Sequence, residues 1–139
     1  MTNLIADPTG QIRDYWDRYA EVFQRYSEPA TSALAATLHA ALHLQDANAV
    51  LEVGGGAGGA AQGMLRRLPY DCVLTVTDLS PEMVRLARHQ LPEEVTVCVA
   101  DAVALPFADA AFDRYVCNLG LMIIPDTDAA LAEAARVLR

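Results

Sequence analysis

Apolar residues recur at intervals of three and four between Gln11 and Tyr26: Ile12, Tyr15, Trp16, Tyr19, Val22, Phe23 and Tyr26. That period lays them on one stripe and predicts an amphipathic helix with a strongly aromatic face. The residues before it, 1–9, are polar apart from a few and include Pro8, so they read as a loose leader. Ser27 is placed to cap a second helix, with Glu28 and Pro29 in its first turn. This helix runs from about 28 to 42 and is expected to bury Leu34, Leu38 and Leu42. After Asp46 the texture changes. Residues 49–53, 73–77, 95–99 and 112–118 are short, nearly continuous apolar runs and read as buried strands. Helical segments separate them, over about 58–68, 81–90 and from 127 or 128 to the C-terminus. The helix at 81 has the clearest start, with Ser80 at its cap, Pro81 at its first position and Glu82 at its second. Strands alternating with helices imply right-handed crossovers and a parallel sheet, an α/β fold. Two helices over 1–46 would thus precede an α/β core over 47–139 within a single domain.

The 139 residues suit one domain, and 53% hydrophobic content is ample for a core. The formal charge of −8 argues against a nucleic-acid partner, whose phosphates would be repelled. No apolar run approaches the ~20 residues that span a bilayer, and the first eight residues have no basic or apolar signal region. The expected setting is therefore cytoplasmic, without a membrane. The three cysteines, Cys72, Cys98 and Cys117, form no CxxC pair and lie in or beside apolar stretches, where they read as small buried hydrophobes. His39 and His43 lie one turn apart on the second helix, a spacing that could hold a metal, but no acidic or cysteine partner stands near. They read as surface or packing residues, and no metal is expected.

The segment richest in chemistry is Leu51-Glu52-Val53-Gly54-Gly55-Gly56-Ala57-Gly58-Gly59, between the first strand and the next helix. Glycines there let the chain turn with positive φ and let a ligand touch the backbone. A loop of this kind at the carboxyl edge of a first strand is the usual nucleotide site of a doubly wound sheet. Two patterns fit it. Gly54, Gly56 and Gly59 satisfy the dinucleotide fingerprint GxGxxG, and Gly54, Gly56 and Gly58 after Glu52 satisfy ExGxGxG. Asp78, at the end of the second strand, is placed to accept both ribose hydroxyls of an adenosine, which does not by itself separate NAD from other adenosine cofactors.

The text downstream does separate them. Asp78-Leu79-Ser80-Pro81-Glu82-Met83, Ala100-Asp101-Ala102-Val103-Ala104-Leu105-Pro106-Phe107, the fourth strand from Phe112 to Leu119, and Ala130 to Leu138 complete a pattern with the glycine loop. Over about residues 48–139 it resembles the class I methyltransferases that use S-adenosylmethionine, most of all the small-molecule group that includes the quinone-biosynthesis C-methyltransferases. The resemblance implies a Rossmann-like core and a role for each matching position. Glu52 would anchor the loop and reach the methionine amino group. Gly54, Gly56 and Gly58 would pass beneath the methionine and ribose. Asp78 would hold the ribose, with Leu79 against the adenine. Asp101 would accept from the adenine amino group, beside the backbone N–H of Ala102. Asn118 and Leu119 would lie by the sulfonium. The aromatic helix would lid the cofactor, bringing Tyr15 or Tyr19 to the methionine end.

The sequence departs from the resemblance in two places. Many relatives carry histidines just after the fourth strand, where this chain has the apolar stretch 119–124, so no catalytic base is recognised. Relatives also continue past Arg139 into a fifth strand and an antiparallel pair. The sheet is therefore expected to be incomplete on its C-terminal side, as in a fragment or truncation, leaving the fourth strand as an apolar edge open to a homodimer. The reading is an S-adenosylmethionine-dependent methyltransferase acting on a small-molecule acceptor, with S-adenosylhomocysteine as product. The alternatives are a non-catalytic cofactor-binding module and, further off, an NAD(P)-dependent oxidoreductase.

Overall fold

The computed structural model describes residues 7–139. Of the expected leader, residues 1–6 lie outside the described residues, and the rest is already ordered. Asp7 accepts a hydrogen bond from Gly10 N (2.8 Å) and caps helix α1, Pro8–Val22, which starts three residues earlier than its apolar stripe suggests. Proline at the first helical position gives up an N–H that would be unpaired there anyway.

The chain does not break at Ser27. A π-helical turn, Phe23–Ser27, carries α1 into α2, Glu28–Ala41. Ser27 keeps right-handed helical angles and makes no side-chain cap, because the turn around it leaves no cap position to fill. Helix α2 also presents a different face from the one expected. Glu28, Ala35 and His39 are buried, whereas Leu34 is 58% exposed and Leu38 also faces outward. The small residues of the next helix set this phase, since Gly59 and Gly63 admit Glu28 and His39 at close range. His39 is thus a packing residue and His43 is exposed, and among the described residues no cluster could hold a metal ion.

The core follows: β1 Ala49–Val53, α3 Gly59–Leu65, β2 Val73–Asp78, α4 Pro81–Gln90, β3 Thr96–Val99, β4 Arg114–Val116 and α5 Thr127–Val137. Every strand pair is parallel and the order is β3-β2-β1-β4. Strand residues alternate between two apolar layers, as a period of two requires. Val50, Leu74, Val76 and Val97 pack with Ala61, Met64, Val84 and Ala87 of α3 and α4. Leu51, Val53 and Phe112 pack on the other face with Ala130 and Val137 of α5. Helices therefore cover both faces, which accounts for the continuous apolar strands.

Ser80 caps α4 as its sequence predicts, accepting from Met83 N at 3.1 Å. Strand β4 is the sheet edge. The chain's last residues begin to add to it, with Phe112 N donating to Val137 O and Arg139 N donating to Phe112 O, both at 3.0 Å. The three cysteines are half-buried rather than buried, because each lies near a sheet or loop margin. Among the described residues no helix is long and apolar enough to cross a membrane.

Candidate cofactor-binding site

In this order the chain leaves β1 toward one side and returns to β4 on the other. The carboxyl ends of β1 and β4 consequently diverge, and a crevice opens where open α/β sheets bind ligands. A cavity of about 320 Å³ lies there. Its walls are the segments that follow each strand: Gly54–Gly56 after β1, Asp78–Leu79 at the end of β2, 100–103 after β3 and 117–120 after β4. Ile12, Trp16 and Phe23 of the N-terminal helices close it from above.

The glycine loop is bent back over β2. Gly54, Gly56 and Gly58 have φ of 68°, 57° and 97°, the left-handed region where a side chain is strained. Gly55 N donates to Thr77 O at 2.9 Å. Gly55 also has no room for a Cβ, which would come within 2.4 Å of Val76 Cγ1.

Beneath this loop lies Glu52, only 1% exposed. Its Oε2 has no hydrogen-bond partner although it belongs to a residue lining the cavity. Burial pushes its carboxyl up to about 8, helped by the negative charges of Asp78 and Glu28. A buried polar atom without a partner is uncommon, and this oxygen is left able to accept one more donor.

Asp78 is half-buried. Its Oδ2 accepts from Gly56 N and its Oδ1 from Ser80 N, both at 2.9 Å. Each carboxylate oxygen retains a further lone pair, enough for one ribose hydroxyl apiece. Burial raises its pKa above the ordinary carboxylate value, while the N–H bonds from Ser80 and Gly56 pull the other way. Asp101 turns its Oδ1 to Val103 N (3.1 Å), which shapes the loop and leaves Oδ2 for a ligand. Asn118 Nδ2 donates to Thr31 O (3.0 Å), tying the end of β4 to α2. Leu119 follows with φ of 60°, a conformation non-glycine residues seldom adopt.

Glu52, Gly54, Gly56, Asp78, Leu79, Asp101, Ala102, Asn118 and Leu119 are thus gathered around one cavity. Two expected residues are not. Gly58 faces α4 instead, where a Cβ would meet Leu91 Cγ at 3.2 Å. Tyr19 stands off the cavity wall, its ring stacked 5.6 Å from that of Tyr15, which is itself 53% exposed. The tyrosines take the wetter side of α1 because their hydroxyls need water, and the wholly apolar Ile12 and Phe23, with Trp16, turn inward. Glu28, Thr31 and Ser32 of α2 also line the cavity and were missed. Glu28 sits where a helix-start carboxylate has a simpler local explanation, which hid it.

A family model described as "Methyltransferase domain" matches residues 50–139. The ubiquinone/menaquinone biosynthesis C-methyltransferase UbiE of Neisseria gonorrhoeae (strain NCCP11945) is 35% identical over 106 residues, 74% of this chain and 43% of that protein. The chain therefore spans less than half the length of such curated relatives. The crystal structure of YcgJ from Bacillus subtilis superposes with a TM-score of 0.67 at 27% identity, covering 76% of this chain and 45% of that one. Magnesium protoporphyrin IX methyltransferase from Synechocystis PCC 6803, solved with bound SAM, shares the fold at a TM-score of 0.75 and 18% identity, covering 99% of this chain and 74% of its own. With nearly two thirds of its length in the matched model and its sheet order and crevice in place, the chain belongs to the methyltransferase-domain family and has the Rossmann-like core of the class I S-adenosylmethionine-dependent methyltransferases.

Proposed function

We propose that the chain binds S-adenosylmethionine in this cavity and serves methyl transfer to a small-molecule acceptor. The observation that carries this is the unpartnered Oε2 of Glu52 under the glycine loop. Its surroundings also separate the candidate cofactors. Glu52, Asp78 and Glu28 place three carboxylates around the glycine loop. A dinucleotide would bring its pyrophosphate to this loop, where the charges of Asp78 and Glu28 repel it and Glu52, protonated while the site is empty, offers it no cation. A ligand with an ammonium and a sulfonium instead meets the opposite charges of Asp78 and Glu28, and its ammonium draws the proton off Glu52.

When bound, the cofactor supplies a methyl group on a sulfonium, already an activated electrophile. The protein's own residues then hold, orient and dry. Glu52 accepts from the methionine ammonium, and Asp78 accepts from the ribose hydroxyls with the two oxygens that Gly56 and Ser80 keep aimed. Asp101 takes the adenine amino group, and Ala102 and Leu79 flank the base. Trp16, Phe23 and Ile12, on helices that act as a lid, keep water out, so that alignment supplies most of the rate. The acceptor enters beside Asn118 and Leu119, where Ile123 and Ile124 line an apolar wall. That wall suits an apolar acceptor, consistent with the quinone-pathway C-methyltransferases among the relatives.

Thermal unfolding with each ligand tests the proposal. S-adenosylhomocysteine is expected to raise the midpoint and NAD to leave it unchanged. Stabilisation by NAD alone would overturn the reading. Binding of S-adenosylhomocysteine without turnover of S-adenosylmethionine, across candidate acceptors, would favour a non-catalytic module.

A further inference from the structure

Glu28 is a carboxylate buried to 7% exposure at the start of α2, on the lid rather than in the core. Both of its oxygens are engaged. Oε1 accepts from Gly59 N at 3.0 Å, and Oε2 accepts from Gln90 Nε2 at 3.0 Å. The same Gln90 Nε2 donates to Ala57 O at 2.9 Å. These three bonds enclose residues 57–59, the segment that joins the glycine loop to α3. The fit is close: a Cβ at Gly59 would lie 2.7 Å from Glu28 Cγ and 2.6 Å from Ser32 Oγ. The third glycine of the apparent dinucleotide fingerprint is therefore required by the lid, not by a ligand.

The lid has a second anchor on the far side of the cavity. Asp17 Oδ1 accepts from Ser80 Oγ (2.5 Å) and from Glu82 N (3.2 Å), directly after Asp78 and Leu79. Between the anchors Trp16 and Phe23 lie over the cavity, and a Cβ at Gly56 would come within 3.1 Å of the Phe23 ring. The lid is thus fastened to the loops expected to hold the two ends of the cofactor.

We propose that Glu28 is a positioning residue: it holds the glycine loop in its binding conformation from the lid, so that cofactor affinity depends on the docking of α1 and α2. The proposal deepens the function above and rests on it. Raising the lid strips Gly59 N and Gln90 Nε2 of a charged acceptor, which costs more than losing a neutral one. The loop then loses the bond that fixes its exit into α3, while Asp78 still holds Gly56. A cofactor meeting this looser loop must order it on binding, and that ordering is lost from affinity.

The test uses the full chain, with S-adenosylhomocysteine as the probe. Glu28→Gln keeps the shape and removes the charge. Gly59→Ala keeps the charge and pushes the lid off. In the ligand-free protein both should speed exchange of the residue 59 amide about tenfold or more, and both should weaken the probe about tenfold. Trp16, the only tryptophan, should shift its emission to longer wavelength in both variants as the lid lifts. Asp17→Asn, which loosens the other anchor, should leave the Gly59 amide unchanged. Unchanged Gly59 exchange in Glu28→Gln overturns the latch, and faster exchange with unchanged affinity overturns the positioning role. Wild-type protein that fails to bind the probe overturns the proposed function instead.

Discussion

Replacing Glu52 by glutamine should stabilise the ligand-free protein and at the same time abolish its cofactor binding. The carboxyl titrates near 4.5 in an unfolded chain and is pushed up to about 8 in the fold by burial, with Asp78 and Glu28 adding to the effect. Below pH 4.5 it is protonated in both states and stability is unaffected. Between pH 4.5 and 8 the folded protein keeps a proton that the unfolded chain releases, so stability declines as pH rises. One pH unit over that range is worth about 1.4 kcal/mol, and at pH 7 the accumulated loss is about 3 kcal/mol. Glu52→Gln removes that dependence while keeping the side chain's volume. For a domain of this size, about 3 kcal/mol corresponds to an unfolding midpoint higher by roughly 10 °C at pH 7, shrinking toward nothing near pH 5. Differential scanning fluorimetry of both proteins from pH 5 to 8.5 measures this. The ammonium of a bound cofactor favours the carboxylate, so binding to the wild type near pH 7 should release a proton, seen as a calorimetric enthalpy that varies with the buffer's ionisation enthalpy. A variant no more stable than the wild type at pH 8, or binding with no proton release, would refute the reasoning.

Asp78→Ala should weaken S-adenosylhomocysteine about tenfold to a hundredfold by calorimetry, since charge-assisted bonds to hydroxyls contribute about 1.5–3 kcal/mol. Asp101→Asn should cost more affinity for the adenine cofactor than for an inosine analogue with a carbonyl at that position; equal losses would show that Asp101 does not read the base. His39 is buried with Nε2 unpartnered, and burial, then the charge of Arg67, lowers its proton affinity. The fold binds this proton less readily than the unfolded chain does, so stability is lost as pH falls below about 6.5. Relative to the wild type, His39→Leu should therefore gain stability as pH is lowered from about 6.5 in urea titrations.

The parts of the fold legible in the sequence are those fixed by local chemistry. Ser80-Pro81-Glu82 starts a helix because the serine oxygen meets Met83 N within one turn. The same reasoning fails at Ser27, where the chain runs on through a π-helical turn and Glu28 reaches instead to Gly59, 31 residues away. Leu34 and Leu38 look like core by period alone. Which face of α2 is buried, however, depends on where Gly59 and Gly63 leave space, a fact of tertiary packing. The site divides in the same way. Glu52, Asp78 and Asp101 lie at strand ends, and a parallel sheet brings strand ends together whatever else happens. The lid residues depend on the rotation of α1 about its axis, fixed by Asp17 on Ser80 and Phe23 on Gly56. The period of the stripe marks all its aromatics alike. Only the contrast between hydroxyl-bearing Tyr15 and Tyr19 and the more apolar Trp16 and Phe23 could have told the inward face from the outward one.

In the proposed function the unpartnered carboxylate oxygen under the glycine loop anchors the cofactor's ammonium. A crystal structure of the chain with S-adenosylhomocysteine tests it most directly. The ligand's amino nitrogen is expected at hydrogen-bonding distance, about 3 Å, from Glu52 Oε2, with the ribose hydroxyls on Asp78. A ligand bound with its amino group elsewhere, and Glu52 still facing no donor, would contradict it.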